Sequence, residues 1–429
     1  MNDRPILNLS PIMKTSFFAA ALPLTFAASI SLAAQSVPSG EFSKQQLTDQ
    51  FWAEGAAFGD FNKDGKMDVV YGPYWWAGPD FKTRRTIYPD TAKTKVKKQD
   101  GTEAEIPGFK GALGYENGYS DNFLAYTYDF NGDGWMDVLV LGFPGKESSW
   151  YENPKGADQP WPKHVALDVT DNESPAFLDI TGDGKPEIVC SSGGFWGYAE
   201  PVWSDPEEKW TWHNISPKGP WQRFTHGAGV GDVNGDGRMD LLEAGGWWEQ
   251  PKSLKDDPAW TKHDFQFGPG GAQMFAYDVN GDGKNDVITS LQAHGYGIAW
   301  FEQTNEGGAM GFTKHLIVGE KPEENSQGVQ FSQPHALDLV DMNGDGLKDI
   351  VTGKRFWAHG PKGDKEPDAA PVLYWFELKR DGGKASYVAH LIDDASGVGT
   401  QVMGGDINGD SKPDVVVGNK RGAFVFLRK

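Results

Sequence analysis

Short apolar runs, each launched by an acidic residue, recur along the chain. Val69-Val70 follows Asp68, Ile188-Val189 follows Glu187 and Val287-Ile288 follows Asp286. Runs this short, rich in β-branched residues and bounded by Gly, Asn and Asp, predict strands rather than helices. A second strand leads into each acidic segment, as in Phe275-Ala276-Tyr277. A third carries Trp and a further aromatic, at Trp150-Tyr151-Glu152, Trp247-Trp248-Glu249, Trp300-Phe301-Glu302 and Trp375-Phe376-Glu377, and a fourth alternates polar and apolar positions. The pattern predicts an all-β chain built from repeated four-stranded units.

The link between the first two strands of each unit is a nine-residue pattern, D-x-N-x-D-G-x-x-D, that occurs seven times. Its candidate metal ligands are Asp60, Asn62, Asp64 and Asp68; Asp129, Asn131, Asp133 and Asp137; Asp179, Thr181, Asp183 and Glu187; Asp232, Asn234, Asp236 and Asp240; Asp278, Asn280, Asp282 and Asp286; Asp341, Asn343, Asp345 and Asp349; and Asp406, Asn408, Asp410 and Asp414. Side-chain oxygens at alternate positions around a glycine turn suit a hard cation, and calcium fits best. This is no EF-hand, because Tyr71 stands where the twelfth-position Glu belongs and a strand follows instead of a helix. The third loop, with Thr181 and Glu187, and the seventh, with Ser411 in place of glycine, are expected to bind most weakly.

Successive loops start 69, 50, 53, 46, 63 and 65 residues apart, the spacing of one four-stranded propeller blade plus its connections. The last unit ends at its third strand, and Phe42 to Asp49 reads like a missing fourth. The expected fold is therefore a seven-bladed β-propeller with a calcium loop in each blade, its ring closed by an N-terminal strand so that no open edge remains. With the Gly-rich approach Gly227-Ala228-Gly229-Val230-Gly231-Asp232, residues 42–429 resemble the FG-GAP/VCBS repeats of the integrin α-subunit propeller and of many bacterial secreted proteins. In plan the chain is also similar to the propeller of fungal aldos-2-ulose dehydratase and, more loosely, to propeller-type polysaccharide lyases. None of their catalytic motifs carries over residue by residue, and a fold shared this widely does not fix function.

Composition narrows the partners. A net charge of -20 argues against nucleic acid, which needs a basic face. Twenty-one of the carboxylates lie in the seven loops, so bound divalent cations would relieve much of this repulsion. Residues 1–33 read as a signal peptide, with Lys14, an apolar run from Phe17 to Leu32 and small residues at the expected cleavage site; Met13 is an alternative start. A short linker, 34–41, follows, and no later stretch is apolar enough to span a membrane. The expectation is a secreted or periplasmic protein. The single cysteine, Cys190, excludes an intramolecular disulfide and reads as a small core residue.

Candidate chemistry lies at the strand ends away from the metal loops. His164, His213, His263, His315 and His390 recur in fourth strands and read as architecture. Four histidines do not recur in that way: His226 and His335 stand six residues before a loop aspartate, while His294 and His359 follow second strands. With Arg355 they are the candidate catalytic set. Glu54 and Glu173 occupy the same entry position as His226, with Asp121, Asn122, Gln273 and Gln401 close to it. Phe195, Trp196, Tyr198, Tyr296, Lys354, Phe356 and Trp357 are assigned to long rim loops, and residues 91–122 to a lid. Such a funnel suits a polyhydroxylated or uronate ligand, with the imidazoles holding an additional divalent metal or abstracting a proton next to a carbonyl. Two functions follow: a carbohydrate lyase or dehydratase, or a non-catalytic propeller that binds an extracellular protein or glycan.

Overall fold

The computed structural model describes residues 40–90, 93–97, 100–107, 118–360 and 362–429. The expected signal peptide and most of the linker lie outside these residues, as does much of the expected lid, of which a hairpin, Lys93–Lys97 with Glu103–Pro107, is described. The described chain is all-β, its one helical element being a 3-10 turn at Pro322–Glu324, and none of its helices is long and apolar enough to cross a membrane.

The second strands of the units organise the core. Each is buried on both faces, which is why it reads as an unbroken apolar run. Alternation then sends successive side chains to opposite sides. Val287 packs with Leu242 and Trp247 of the preceding sheet, whereas Ile288 packs with Ile350 and Phe376 of the following one. Ile350 and Val351 divide in the same way, as do Leu241 and Leu242. The last unit completes the series, for Val415 and Val417 face Trp375 while Val416 faces Val69 and Trp76 of the first.

Sheet pairing agrees with this packing. Ala57–Gly59, Asp68–Tyr71, Tyr74–Ala77 and Thr83–Thr86 form one antiparallel meander, and Leu337–Val340, Asp349–Gly353, Leu373–Asp381 and Lys384–Asp393 another. The 16-residue strand Lys163–Leu178 is shared, ending one meander and beginning the next. Strands Ala228–Gly231 and Gln273–Tyr277 run parallel as the inner edges of adjacent units. The N-terminal strand Phe42–Thr48 pairs antiparallel with Gly422–Arg428, Gln45 opposite Val425, and so supplies the fourth strand of the last sheet.

The recurring histidines share one setting. His164 stacks on Trp150 at 4.3 Å between ring centroids and lies 3.1 Å from Glu152. His263, His315 and His390 repeat this on Trp247, Trp300 and Trp375, with Glu249, Glu302 and Glu377; His213 does so on Tyr198. The glutamate also reaches the acidic loop, accepting from Asn131, Asn280 or Asn343. Third strand, fourth strand and loop are thereby tied together.

Several aromatics expected on rim loops belong elsewhere. Gly193 and Gly194, both at positive φ, make so tight a turn that Phe195, Trp196 and Tyr198 fall within strand Phe195–Glu200. Trp196 is fully buried and donates its indole N–H to Glu243. Lys354, Phe356 and Trp357 are buried as well, because the chain turns inward directly after strand Asp349–Gly353. Tyr296 stays half-buried in a loop, and Cys190 is buried in the core.

Candidate functional site

The acidic loops share one geometry. In the first, Asp60 accepts N–H bonds from Asp64 and Gly65, Asn62 from Asp64, and Asp64 from Lys66. Buried Asp68 accepts from Phe61 at 2.8 Å and Gly78 at 2.9 Å, locking the loop to both flanking segments. Burial, with the neighbouring loop carboxylates adding to it, raises Asp68 to about 6, Asp137 and Asp240 to about 7, and Glu187 to about 8. An all-oxygen donor set with crowded negative charge fits a hard divalent cation. Among the described residues the third loop brings three carboxylates, Asp179, Asp183 and Glu187, within 4.8 Å of one another. The longer Glu187 arm gathers the oxygens in the loop that was expected to be among the weakest.

Away from the loops, the position six residues before each loop aspartate stands ahead of the innermost strand, or within it in the third unit. That position holds Glu54, Phe123, Glu173, His226, Ala272, His335 and Thr400. Arg355 inserts among them. Its guanidinium donates to Glu54 at 3.1 Å, lies 3.6 Å from Glu173 and 3.0 Å from His335 Nε2, and sits 5.6 Å from the Phe123 ring centre. Below it the funnel floor is closed by side chains that act like backbone. Gln401 exchanges two hydrogen bonds with Ala125, and Gln273 links Thr400 O to Leu337 N. The expected open funnel is thus filled at its centre. Arg355 and His335, expected to meet ligand, are essentially inaccessible.

The four unrepeated histidines nevertheless lie together. His226 Nε2 and His294 Nε2 are 3.1 Å apart, the rings of both lie about 5 Å from that of His335, and the His294 and His359 rings are 4.5 Å apart. Glu173 Oε2 is 3.2 Å from His335 Nε2 and 3.5 Å from His226 Nε2. Glu173, His226, His294 and His335 each offer a ligand atom within 4.8 Å of the others. Asp364 stands behind them, its Oδ1 2.8 Å from His359 Nδ1 and 3.3 Å from His294 Nδ1. A carboxylate hydrogen-bonded to Nδ1 fixes the tautomer in which Nε2 carries the lone pair, and His359 has that arrangement, whereas His294 Nδ1 lies near Asp364 without a hydrogen bond to it.

The electrostatics follow from burial and neighbours. Burial and the Arg355 charge hold His335 well below the ordinary imidazole range, so it is neutral and accepts from the guanidinium. Burial also lowers His294, Asp364 opposing it. Although burial alone would raise Glu173, its contacts with His226 and His335 keep it ionised. Arg355 lies between two carboxylates, Glu54 and Glu173, the second of which also borders three imidazoles. Lysine and tyrosine complete the mouth. Lys420 donates to Trp357 O at 2.8 Å and lies 4.8 Å from the Tyr119 ring centre; burial pushes it down to about 8. Tyr119, whose hydroxyl burial keeps protonated, lies 6.2 Å from the His359 ring.

Sequence reading missed Asp364, Lys420 and Tyr119. A signal for Lys420 exists: Lys354-Arg355 and Lys420-Arg421 follow the second strands of the last two units at nearly the same place. Asp364 lies in an irregular loop and has no such register.

An FG-GAP-like repeat model matches residues 129–190 and 278–352, and an FG-GAP repeat model residues 398–425; these segments contain the loops at Asp129, Asp179, Asp278, Asp341 and Asp406. Two curated relatives are a T-cell immunomodulatory protein homolog of Plasmodium falciparum, 26% identical over 280 residues, and cartilage acidic protein 1 of Xenopus tropicalis, 23% identical over 193. The matches take in 55% and 41% of this chain but only 37% and 26% of those proteins. Among solved structures, the BBS1 N-terminal region in complex with ARL6 aligns over 90% of this chain and 96% of its own, with a TM-score of 0.45 and 10% identity. The exotype rhamnogalacturonan lyase YesX aligns over 90% and 72%, with a TM-score of 0.39 and 13% identity. The repeat models, each set on acidic loops between paired strands, show that the chain carries FG-GAP repeats.

Proposed function

We propose that the chain is exported, with residues 1–33 removed as a signal peptide, and folds as a seven-bladed ring stapled by calcium in its seven acidic loops. The central imidazole and carboxylate cluster binds a divalent transition metal, and a carbohydrate is held over it. The observation that carries this reading is the convergence of Glu173, His226, His294 and His335 within 4.8 Å, with Asp364 near the Nδ1 side of His294. Nitrogen-rich donor sets favour zinc, manganese and their neighbours over calcium.

The chemistry these groups support best is β-elimination. A divalent ion in the cluster would polarise a carboxylate or carbonyl of the sugar. His359, whose ring is half exposed and oriented by Asp364, offers Nε2 as the base. It takes the proton from the carbon next to the carbonyl; that electron pair forms the new C=C bond, and the bond from the next carbon to its oxygen substituent breaks. The Tyr119 phenol supplies a proton to the departing oxygen. Arg355 holds Glu173 in place, and neither it nor His335 touches substrate.

Elimination on uronate oligosaccharides or keto-sugars is read as ultraviolet absorbance of the unsaturated product. Activity lost in His359→Ala and His294→Ala but kept in His263→Ala supports the proposal. A folded, metal-loaded protein inactive on every such sugar returns the function to a non-catalytic interaction propeller. The small accessible area of the cluster favours that second reading, since the His226 and His294 side chains are only 16% and 23% exposed.

A further inference from the structure

A cleft of about 450 Å³ opens beside the cluster, on the far side of Tyr119. One wall is the stacked pair Tyr88 and Tyr151, ring centres 4.5 Å apart. The other is Tyr119 with Phe143, 5.4 Å apart. Inside the cleft lies Ser149, whose residue is 4% exposed and whose hydroxyl has no hydrogen-bond partner. Its neighbour Ser148, on the opposite face of the same strand, shows the usual resolution of that problem by bonding Thr170 at 2.6 Å. A buried hydroxyl left unpaired costs about 1–3 kcal/mol, so an orphan facing a cavity marks a place where a ligand's polar group belongs.

We propose that this cleft is a binding subsite for an uncharged sugar residue. Flat aromatic walls pack against the C–H faces of a pyranose, and a hydroxyl at the base pairs with one of its own. The rim carries Lys146 and Lys163 against Asp121 and Glu147, with Lys163 and Glu147 paired at 2.5 Å. Two positive and two negative charges leave no net positive charge to attract a carboxylate, so a uronate gains nothing here while a neutral polyol finds both donors and acceptors. The volume is within the ordinary range for small-ligand sites. Because Tyr119 borders both the cleft and the cluster, the occupant of the cleft lies next to whatever the cluster holds. Resting on the function proposed above, the inference makes the substrate an oligosaccharide with a neutral residue next to the reacting one.

The test is binding of the full chain, in calcium, to an immobilised array of neutral and uronate-containing oligosaccharides, with Ser149→Ala and Tyr151→Ala beside the parent. Ser149→Ala removes only the hydroxyl and preserves the fold. Retention of oligosaccharides that contain neutral residues, weakened at least about tenfold in both variants, is the expected result. Retention unchanged in Ser149→Ala, retention of pure uronate chains alone, or no retention at all would overturn the subsite. A parallel His294→Ala sample separates the two claims. If it keeps full elimination activity the cluster reading fails, whatever the cleft binds.

Discussion

His294 Nε2 lies 3.1 Å from His226 Nε2, although the residues are 68 positions apart and belong to different units. Asp364 lies 3.3 Å from the Nδ1 side of His294, and the two Nε2 atoms face each other. Either one ring donates a proton into that contact or a cation sits against both nitrogens. Glu173, 3.5 Å from the same His226 nitrogen, adds negative charge where the second arrangement needs it.

Calcium removal tests the loops. A site at about 100 times its Kd adds ~2.7 kcal/mol if the unfolded chain does not bind. Several such sites make the melting temperature strongly calcium-dependent. Excess EDTA is expected to lower it by many degrees, read by calorimetry, with metal loss verified; an unchanged melt would refute calcium stapling.

Ser411 adopts φ 66° where the other loops place glycine. A left-handed conformation costs a residue with a Cβ about 1–2 kcal/mol. Ser411→Gly is therefore expected to stabilise the fold by ~1 kcal/mol in calcium, measured by denaturant unfolding. Destabilisation would mean that the serine side chain contributes to the loop.

The loops and the histidine positions were legible because both are written in local register. Asp60 to Asp68 is a nine-residue code, and a residue six places before it stands on the approach to the innermost strand or, in the third unit, within it. His226, His335, Glu54 and Glu173 follow from that offset alone. The path of the chain after the second strands is set by long-range contacts such as Arg355 N to Gln333 O and Val398 N to Lys354 O, which leave no period in the sequence. Arg355 consequently read as a rim cation, whereas it fills the centre between two glutamates. Asp364 was hidden for the same reason.

Removing Arg355 should be costly. Arg355→Met leaves Glu54 and Glu173 buried without their shared cation, and breaking a buried pair typically costs ~3–5 kcal/mol. Chemical denaturation should show a loss of that order, against little change for Lys163→Met on the exposed rim. A loss below ~1 kcal/mol would contradict the central placement of the guanidinium.

Lys420 gives a pH signature. Burial lowers it to about 8 from 10.5, so between those values the unfolded chain binds more protons than the folded one. Stability contributed by this group therefore rises as pH increases through that window, and below pH 8 the cost of burying the charge stands in full. The stability of the parent relative to Lys420→Met is expected to increase by on the order of 2 kcal/mol from pH 7 to pH 10. A flat difference across that range would place the amine in solvent.

Cobalt(II) titration of EDTA-stripped protein, in excess calcium to keep the loops occupied, tests the central cluster most directly. Imidazole-bound cobalt absorbs visibly, whereas cobalt in an all-oxygen loop is nearly colourless. The cluster predicts a visible band that saturates at one equivalent per chain, disappears in His226→Ala and His294→Ala, and persists in His263→Ala. A titration with no saturable band, or one that His294→Ala leaves unchanged, would contradict it.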